Sequence, residues 1–177
     1  EIKEEADVLV VQDDVKAVKA KRGPATLTFP IHDVVEIVYG RRPESFKNGM
    51  AKFAQRDMEK ALSFFEEAAA SEDDKKTYAW LGNYSLWYVA QCAELIGDLQ
   101  KAYDAYNELV AKFPKSRFAA DALMAEGEMS IEVKQFDKAK TLFTRLGELA
   151  KKEGLGDFYA MKAQLGLLLV DAANGDG

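Results

Sequence analysis

The spacing of apolar positions changes once along the chain, near residue 42. Between Asp7 and Tyr39 the apolar residues are mostly β-branched: Val8, Val10, Val11, Val15, Val18, Val34, Val35, Ile37 and Val38. Leu27, Phe29 and Ile31 alternate with Thr26 and Thr28, the period of two that a half-buried strand requires. Gly23-Pro24 marks a turn, and Asp13-Asp14 marks another. Pro30 has no N–H to give a ladder, so its strand lies at an edge or ends there. The pattern predicts three or four short strands, over 7–12, 15–22, 25–31 and 34–39. A sheet this small needs support, from the rest of the chain, a partner or further strands.

After Arg41-Arg42-Pro43 the chain turns to Ala, Leu, Glu, Lys, Phe and Met, with apolar residues three and four apart. This is helical spacing, and Pro43 suits a helix start. The expected division is a β segment over 1–42 and helical hairpins over 43–177. Three hairpins superimpose. Gly49, Ala90 and Gly127 are each followed twelve residues later by an alanine: Ala61, Ala102 and Ala139. Three residues before that alanine stands Met58, Leu99 or Phe136, and four after it Phe65, Tyr106 or Phe143. Seven after it comes Ala68, Leu109 or Leu146. Small residues let two antiparallel helices approach, so Gly49, Ala90 and Gly127 are expected to face the three alanines. The aromatic then fills the wedge between one hairpin and the next. Lys75–Ile96 is long enough for one helix of about six turns.

This spacing resembles the tetratricopeptide repeat, a helical hairpin of about 34 residues, over about residues 43–173: three repeats plus the first helix of a fourth around Gly166. The resemblance implies a mainly α fold, an α-solenoid of antiparallel hairpins with a small N-terminal β element. The alanines are spaced more widely than the family's period, so helices or linkers are lengthened. The run Tyr106-Asn-Glu-Leu-Val-Ala-Lys-Phe113-Pro114-Lys-Ser116, with Ala119 and Ala122 beyond it, is similar to repeats of bacterial envelope proteins. These are the TolA-binding coordinator class and lipoproteins of outer-membrane assembly. That likeness implies a periplasmic or envelope-associated place rather than a cytoplasmic one. Phe29-Pro-Ile-His-Asp33-Val-Val-Glu-Ile37 resembles the last strands of a small SH3-like barrel.

Composition narrows the function. The net charge is −6, against the clustered cations that phosphate backbones demand, so nucleic acid is not expected as a partner. One cysteine and one histidine leave no disulfide framework and no Cys- or His-rich metal cluster. No apolar run approaches the ~18 residues of a membrane-spanning helix. The chain opens on acidic Glu1, Glu4 and Glu5, unlike a secretory leader; it does not begin with Met, so its first residues say nothing of compartment. There is no Gly-rich phosphate loop and no Gly-x-Ser-x-Gly elbow. His32 beside Asp33 is read as structural, because strand neighbours point to opposite faces. Cys92 is read as a buried apolar thiol, and the acidic run from Glu66 to Asp74 lacks calcium-loop spacing. No catalytic residue, metal site or cofactor is assigned.

In a repeat fold the stacked first helices line a concave groove. The register puts Phe46, Met50 and Phe53 there from the first hairpin, and Tyr84, Trp87, Gln91 and Glu94 from the second. From the third come Asp121, Met124, Glu128 and Ile131. Some tetratricopeptide modules grip a terminal carboxylate with Lys and Asn. Phe46, Met50, Trp87, Gln91, Met124 and Glu128 at those positions imply that no such clamp exists. The expected ligand is an amphipathic helix or an extended apolar segment with basic residues. Two readings of the groove stand: a partner site built from Phe46, Met50, Phe53, Tyr84, Trp87, Gln91, Met124 and Glu128, or a surface filled by the chain's own β segment or another subunit. The expected function is a non-catalytic protein–protein interaction scaffold. The alternative is a self-assembling structural subunit of a bacterial complex, using the β segment and the open solenoid end. Leu165, Leu167, Leu168, Leu169 and Val170 would leave that end apolar where a fourth hairpin should turn back.

Overall fold

The computed structural model describes residues 9–34, 37 and 39–175. Three strands, β1 (Leu9–Asp13), β2 (Ala17–Arg22) and β3 (Ala25–Pro30), form an antiparallel meander in that order. A 3-10 turn, Ile31–Asp33, follows β3. Asp7 and Val8 of the expected first strand lie outside the described residues. So do Val35, Glu36 and Val38 of the expected fourth, whose Val34, Ile37 and Tyr39 are not in a strand. His32 belongs to the 3-10 turn, and its side chain is likewise outside the description.

Eight α-helices follow among the described residues: α1 (Glu44–Ala54), α2 (Met58–Ala70), α3 (Glu72–Thr77), α4 (Leu81–Ile96), α5 (Leu99–Lys112), α6 (Ala119–Glu132), α7 (Phe136–Glu153) and α8 (Asp157–Asn174). α1/α2, α4/α5 and α6/α7 are hairpins; α2 packs on α4, α5 on α6, and α7 on α8. The fold is a mainly α, tetratricopeptide-like solenoid of three hairpins and a further first helix, preceded by the small sheet.

The single helix expected over Lys75–Ile96 is two helices. α3 buries no side chain and is held at its start by the Ser71 hydroxyl, which caps the Asp74 N–H. The backbone leaves the helix at Tyr78 and resumes at Leu81. Between them Trp80 stacks on Tyr39 at 4.2 Å and sits edge-on to Phe46 at 5.0 Å.

The repeat register is visible in burial. Ala61, Ala102, Ala139, Phe65, Tyr106, Phe143, Ala68, Leu109 and Leu146 are all 2 % exposed or less. What the small residue accommodates differs from expectation. The atoms that a Cβ at Gly49 would meet first belong to the Phe65 ring, at 2.7 Å, and at Gly127 they belong to Phe143, also at 2.7 Å. The glycine makes room for the aromatic rather than for the alanine. Phe143 is enclosed from two sides, since a Cβ at Gly166 on α8 would press closer still on the same ring. The two turns flanked by α1/α2 and α6/α7 place Arg56 and Lys134 at φ 60°, where α4/α5 has Gly97 at φ 84°. The next residue starts the second helix. Asp57 and Asp98 cap it by accepting the N–H groups of Lys60 and Lys101, whereas Gln135, in similar backbone geometry, makes no such bond.

Two outcomes follow. Gly166→Ala is expected to destabilise the chain by about 1–3 kcal/mol, despite the better helix propensity of alanine, because the enclosed Phe143 ring cannot retreat; pairing it with Phe143→Leu should recover some of the loss in urea unfolding. Gln135→Asp should add about 0.5–1 kcal/mol by restoring the missing cap, read as a rise in thermal midpoint; no rise would show that the turn before α7 is not equivalent to its two counterparts.

Candidate functional site

The first helices and the segment after β3 enclose one cavity of about 490 Å³. α1 contributes Phe46 and Met50, one turn apart; α4 contributes Tyr84, Trp87 and Tyr88, three and four apart and so on one face. Phe118 precedes α6, which adds Asp121, and α8 adds Phe158 and Tyr159 at its first turn. The chain between β3 and α1 closes the remaining side with Ile31, Val34, Ile37, Tyr39 and Arg42.

The aromatic wall is stacked rather than loosely gathered. Trp87 lies parallel to Phe118 at 4.8 Å, and Tyr84 meets the same ring edge-on at 4.9 Å. Its polar groups are paired inward. Asp13, at the end of β1, accepts hydrogen bonds from the hydroxyls of Tyr84 (2.6 Å) and Tyr39 (3.1 Å). Asp121 accepts one from Tyr159 at 2.8 Å. Burial, then the nearby carboxylates, pushes all three phenols far above their ordinary range, so they remain donors. Burial also raises the Asp121 carboxyl, against the Tyr159 hydrogen bond and Arg117. Arg117 donates to the Val34 carbonyl at 2.8 Å and lies 5.5 Å from the Phe118 ring centroid. It thereby clips the segment after β3 onto the helices.

The sheet is tied to the solenoid at further points. The Val15 N–H donates to the Lys115 carbonyl at 3.0 Å, and Lys16 pairs with Glu153 at 2.8 Å. The β segment therefore does cover some of the groove: Phe46 and Tyr84 are only 4 % and 5 % exposed.

Four of the eight expected groove residues, Phe46, Met50, Tyr84 and Trp87, stand around the cavity. Phe53 points into the first hairpin, 6.4 Å from Phe65 and 5.3 Å from Tyr88. Gln91 donates to the Tyr106 hydroxyl at 2.7 Å, which in turn donates to Glu94. Met124 packs against the core, and Glu128 is exposed away from the cavity. Sequence reasoning missed Arg42, Arg117 and Phe118. They sit before α1 and α6 rather than on them, where helical spacing gives no signal. Their discovery changes the charge of the site: the acidic edge expected from Asp121 is engaged internally, and both cavity-lining cations are arginines.

Among the described residues no group of three or more His, Cys, Asp or Glu side chains could hold a metal ion. Cys92 is fully buried, and burial pushes its thiol up to about 11, so it is unreactive near neutral pH. No described helix is long and apolar enough to cross a membrane.

Residues 84–116, most of the α4/α5 hairpin with the loop after it, match the family model of the tetratricopeptide repeat. The match supports a tetratricopeptide-repeat protein. No curated protein and no solved structure matches the chain. The matched tetratricopeptide hairpin supplies Tyr84, Trp87 and Tyr88 to the cavity wall.

One buried acid lies outside this site. Glu126 on α6 is 0 % exposed. Burial pushes it up to about 7, with Arg145, Tyr103 and Lys138 acting the other way. A carboxyl raised on folding favours the native state below its unfolded value, and the contribution is lost as pH climbs from about 4.5 to about 7. Glu126→Gln is therefore expected to flatten that fall and to exceed the parent in stability at pH 8 by up to about 3 kcal/mol, measured by urea unfolding at pH 5 and pH 8. A parent whose stability does not fall between those two pH values would refute the assignment.

Proposed function

We propose that the chain is a non-catalytic interaction scaffold that seats an apolar side chain of a partner protein in the cavity between its first helices. Tetratricopeptide repeats in general mediate protein–protein interaction. The observation that carries the reading here is the cavity itself: about 490 Å³, the size of a ligand site, walled by stacked aromatic rings. Trp87 is half-buried, wet enough to meet a ligand and held by Phe118, as a binding hot spot requires. Arg42 lines the cavity without an ion pair among the described residues. The favoured partner segment therefore carries an aromatic or aliphatic anchor with a carboxylate nearby, in place of the basic segment that the sequence suggests.

A place in the bacterial envelope belongs to the same proposal and is supported by the likeness of the Tyr106–Ala122 stretch to envelope repeats.

The test starts from peptides selected on the immobilised chain. Trp87→Ala is expected to weaken their binding about 30-fold, the equivalent of about 2 kcal/mol. Arg42→Glu should weaken acid-bearing peptides more than neutral ones. Titration calorimetry reads both. Peptides that bind Trp87→Ala as tightly as the parent would move the site elsewhere.

A further inference from the structure

α8 is apolar on two opposite sides, and only one of them is covered. Toward α7 it turns small residues, with Ala163, Gly166 and Val170 buried. On the other side stand Phe158, Met161, Leu165, Leu168 and Leu169, which are 57, 65, 49, 65 and 50 % exposed. They are five of the nine large apolar side chains exposed among the described residues. Their spacing is as informative as their exposure. Phe158, Met161, Leu165 and Leu168 are three, four and three residues apart, the narrow seam by which one helix packs along another.

The rest of the solenoid shows what covers such a helix. α4 is flanked by α2 and α5, and α6 by α5 and α7; ten residues of α4 and eight of α6 are buried. α8 is longer than either, packs mainly on α7 and more lightly on α6 among the described residues, and buries three. A helix apolar all round belongs between two neighbours. In α4/α5 and α6/α7 the second neighbour runs antiparallel to the first helix.

We infer that the uncovered face of α8 is a dimer contact, taken by α8 of a second copy of this chain. A two-fold axis perpendicular to the helix sets the two copies antiparallel, the arrangement of each hairpin within the chain. The five side chains leave roughly 500 Å² uncovered, so two copies would bury on the order of 1,000 Å², the lower bound for a specific interface. Charge does not oppose the pairing: between Asp157 and Asp171 the helix carries a single charged residue, Lys162, whose ammonium lies 5.8 Å from the Phe158 ring centroid at the edge of the seam. The inference goes beyond the groove reading and rests on Met161, Leu165, Leu168 and Leu169, which do not line the cavity; Phe158 lines both surfaces.

Light-scattering mass of the whole chain, from about 1 to about 200 µM, tests it, because a dimer of this kind must build up with protomer concentration. The expected result is twice 19.7 kDa at the upper end. Leu168→Glu should weaken dimerisation at least 100-fold without changing the circular dichroism. Leu95→Glu, on an equally exposed leucine (62 %) of α4, should leave it intact. A monomer throughout would overturn the proposal. So would a dimer that Leu168→Glu leaves intact, which would put the contact on another surface such as the free edge of β3. Loss of the dimer in Leu95→Glu would overturn it too. Peptide binding through Trp87 is read separately in the same variants, so failure of one reading does not count against the other.

Discussion

The ring of Phe143 is where two neighbouring elements of this solenoid are forced into one spacing. Gly127 on its own hairpin and Gly166 on the next helix both come so near the ring that neither has room for a Cβ. A ring held from both sides fixes the distance between the helices, their rotation, and the offset from one repeat to the next. Phe65 acts in the same way in the first hairpin, against Gly49 and stacked on Tyr88 of α4 at 4.8 Å. At Tyr106 the solution is polar: Ala90 retains its Cβ, and the hydroxyl is secured by Gln91 and Glu94. Because packing here is dense, an error at one wedge cannot be absorbed locally. The groove inherits its shape from these three wedges.

The second constraint is the Asp13 carboxylate, by which the small sheet holds the helices. Asp13 gathers the hydroxyls of Tyr39 and Tyr84, residues that come from the segment after β3 and from α4. Two phenols donating to one acid in a partly buried place make bonds stronger than the same groups would form in water. The sheet is thus a lid fastened over one end of the groove, and Arg117 fastens the chain that leaves it. What remains open is a cavity rather than a trough, which favours a single anchoring side chain over a long helix laid flat.

How much of this was legible in the residues follows from how local each signal is. The hairpins and their register were, because Ala61, Ala102 and Ala139 with their aromatics obey a spacing set by helix geometry alone. The partner of each glycine was not: small residues at a crossing say that something approaches closely, and only the fold shows a ring instead of an alanine. The break at Tyr78–Trp80 was hidden for a similar reason, since no proline marks it and the ring on which Trp80 stacks, Tyr39, lies about forty residues away. Half of the groove residues were placed by periodicity. Periodicity says nothing of Gln91's amide, which the fold gives to Tyr106. Arg42 and Arg117 were missed because loops carry no period from which to predict direction.

α4, α6 and α8 share a property that distinguishes them from α2, α5 and α7: their apolar residues are spread around the helix instead of gathered on one side. For α4 and α6 that spread is resolved by burial between neighbours, and the result is the core. In α8 the same spread is left half unresolved, and the difference lies in its side chains as well as in its place. The covered sides of α4 and α6 are rich in small residues, such as Ser85, Ala90, Ala122 and Gly127, which admit a close neighbour with its own aromatic. The open side of α8 instead carries Met161, Leu165 and Leu168, large residues that hold a neighbour farther off and supply their own filling. A helix with the same leucines would interleave with them, and the helix known to carry those leucines in that spacing is α8 itself.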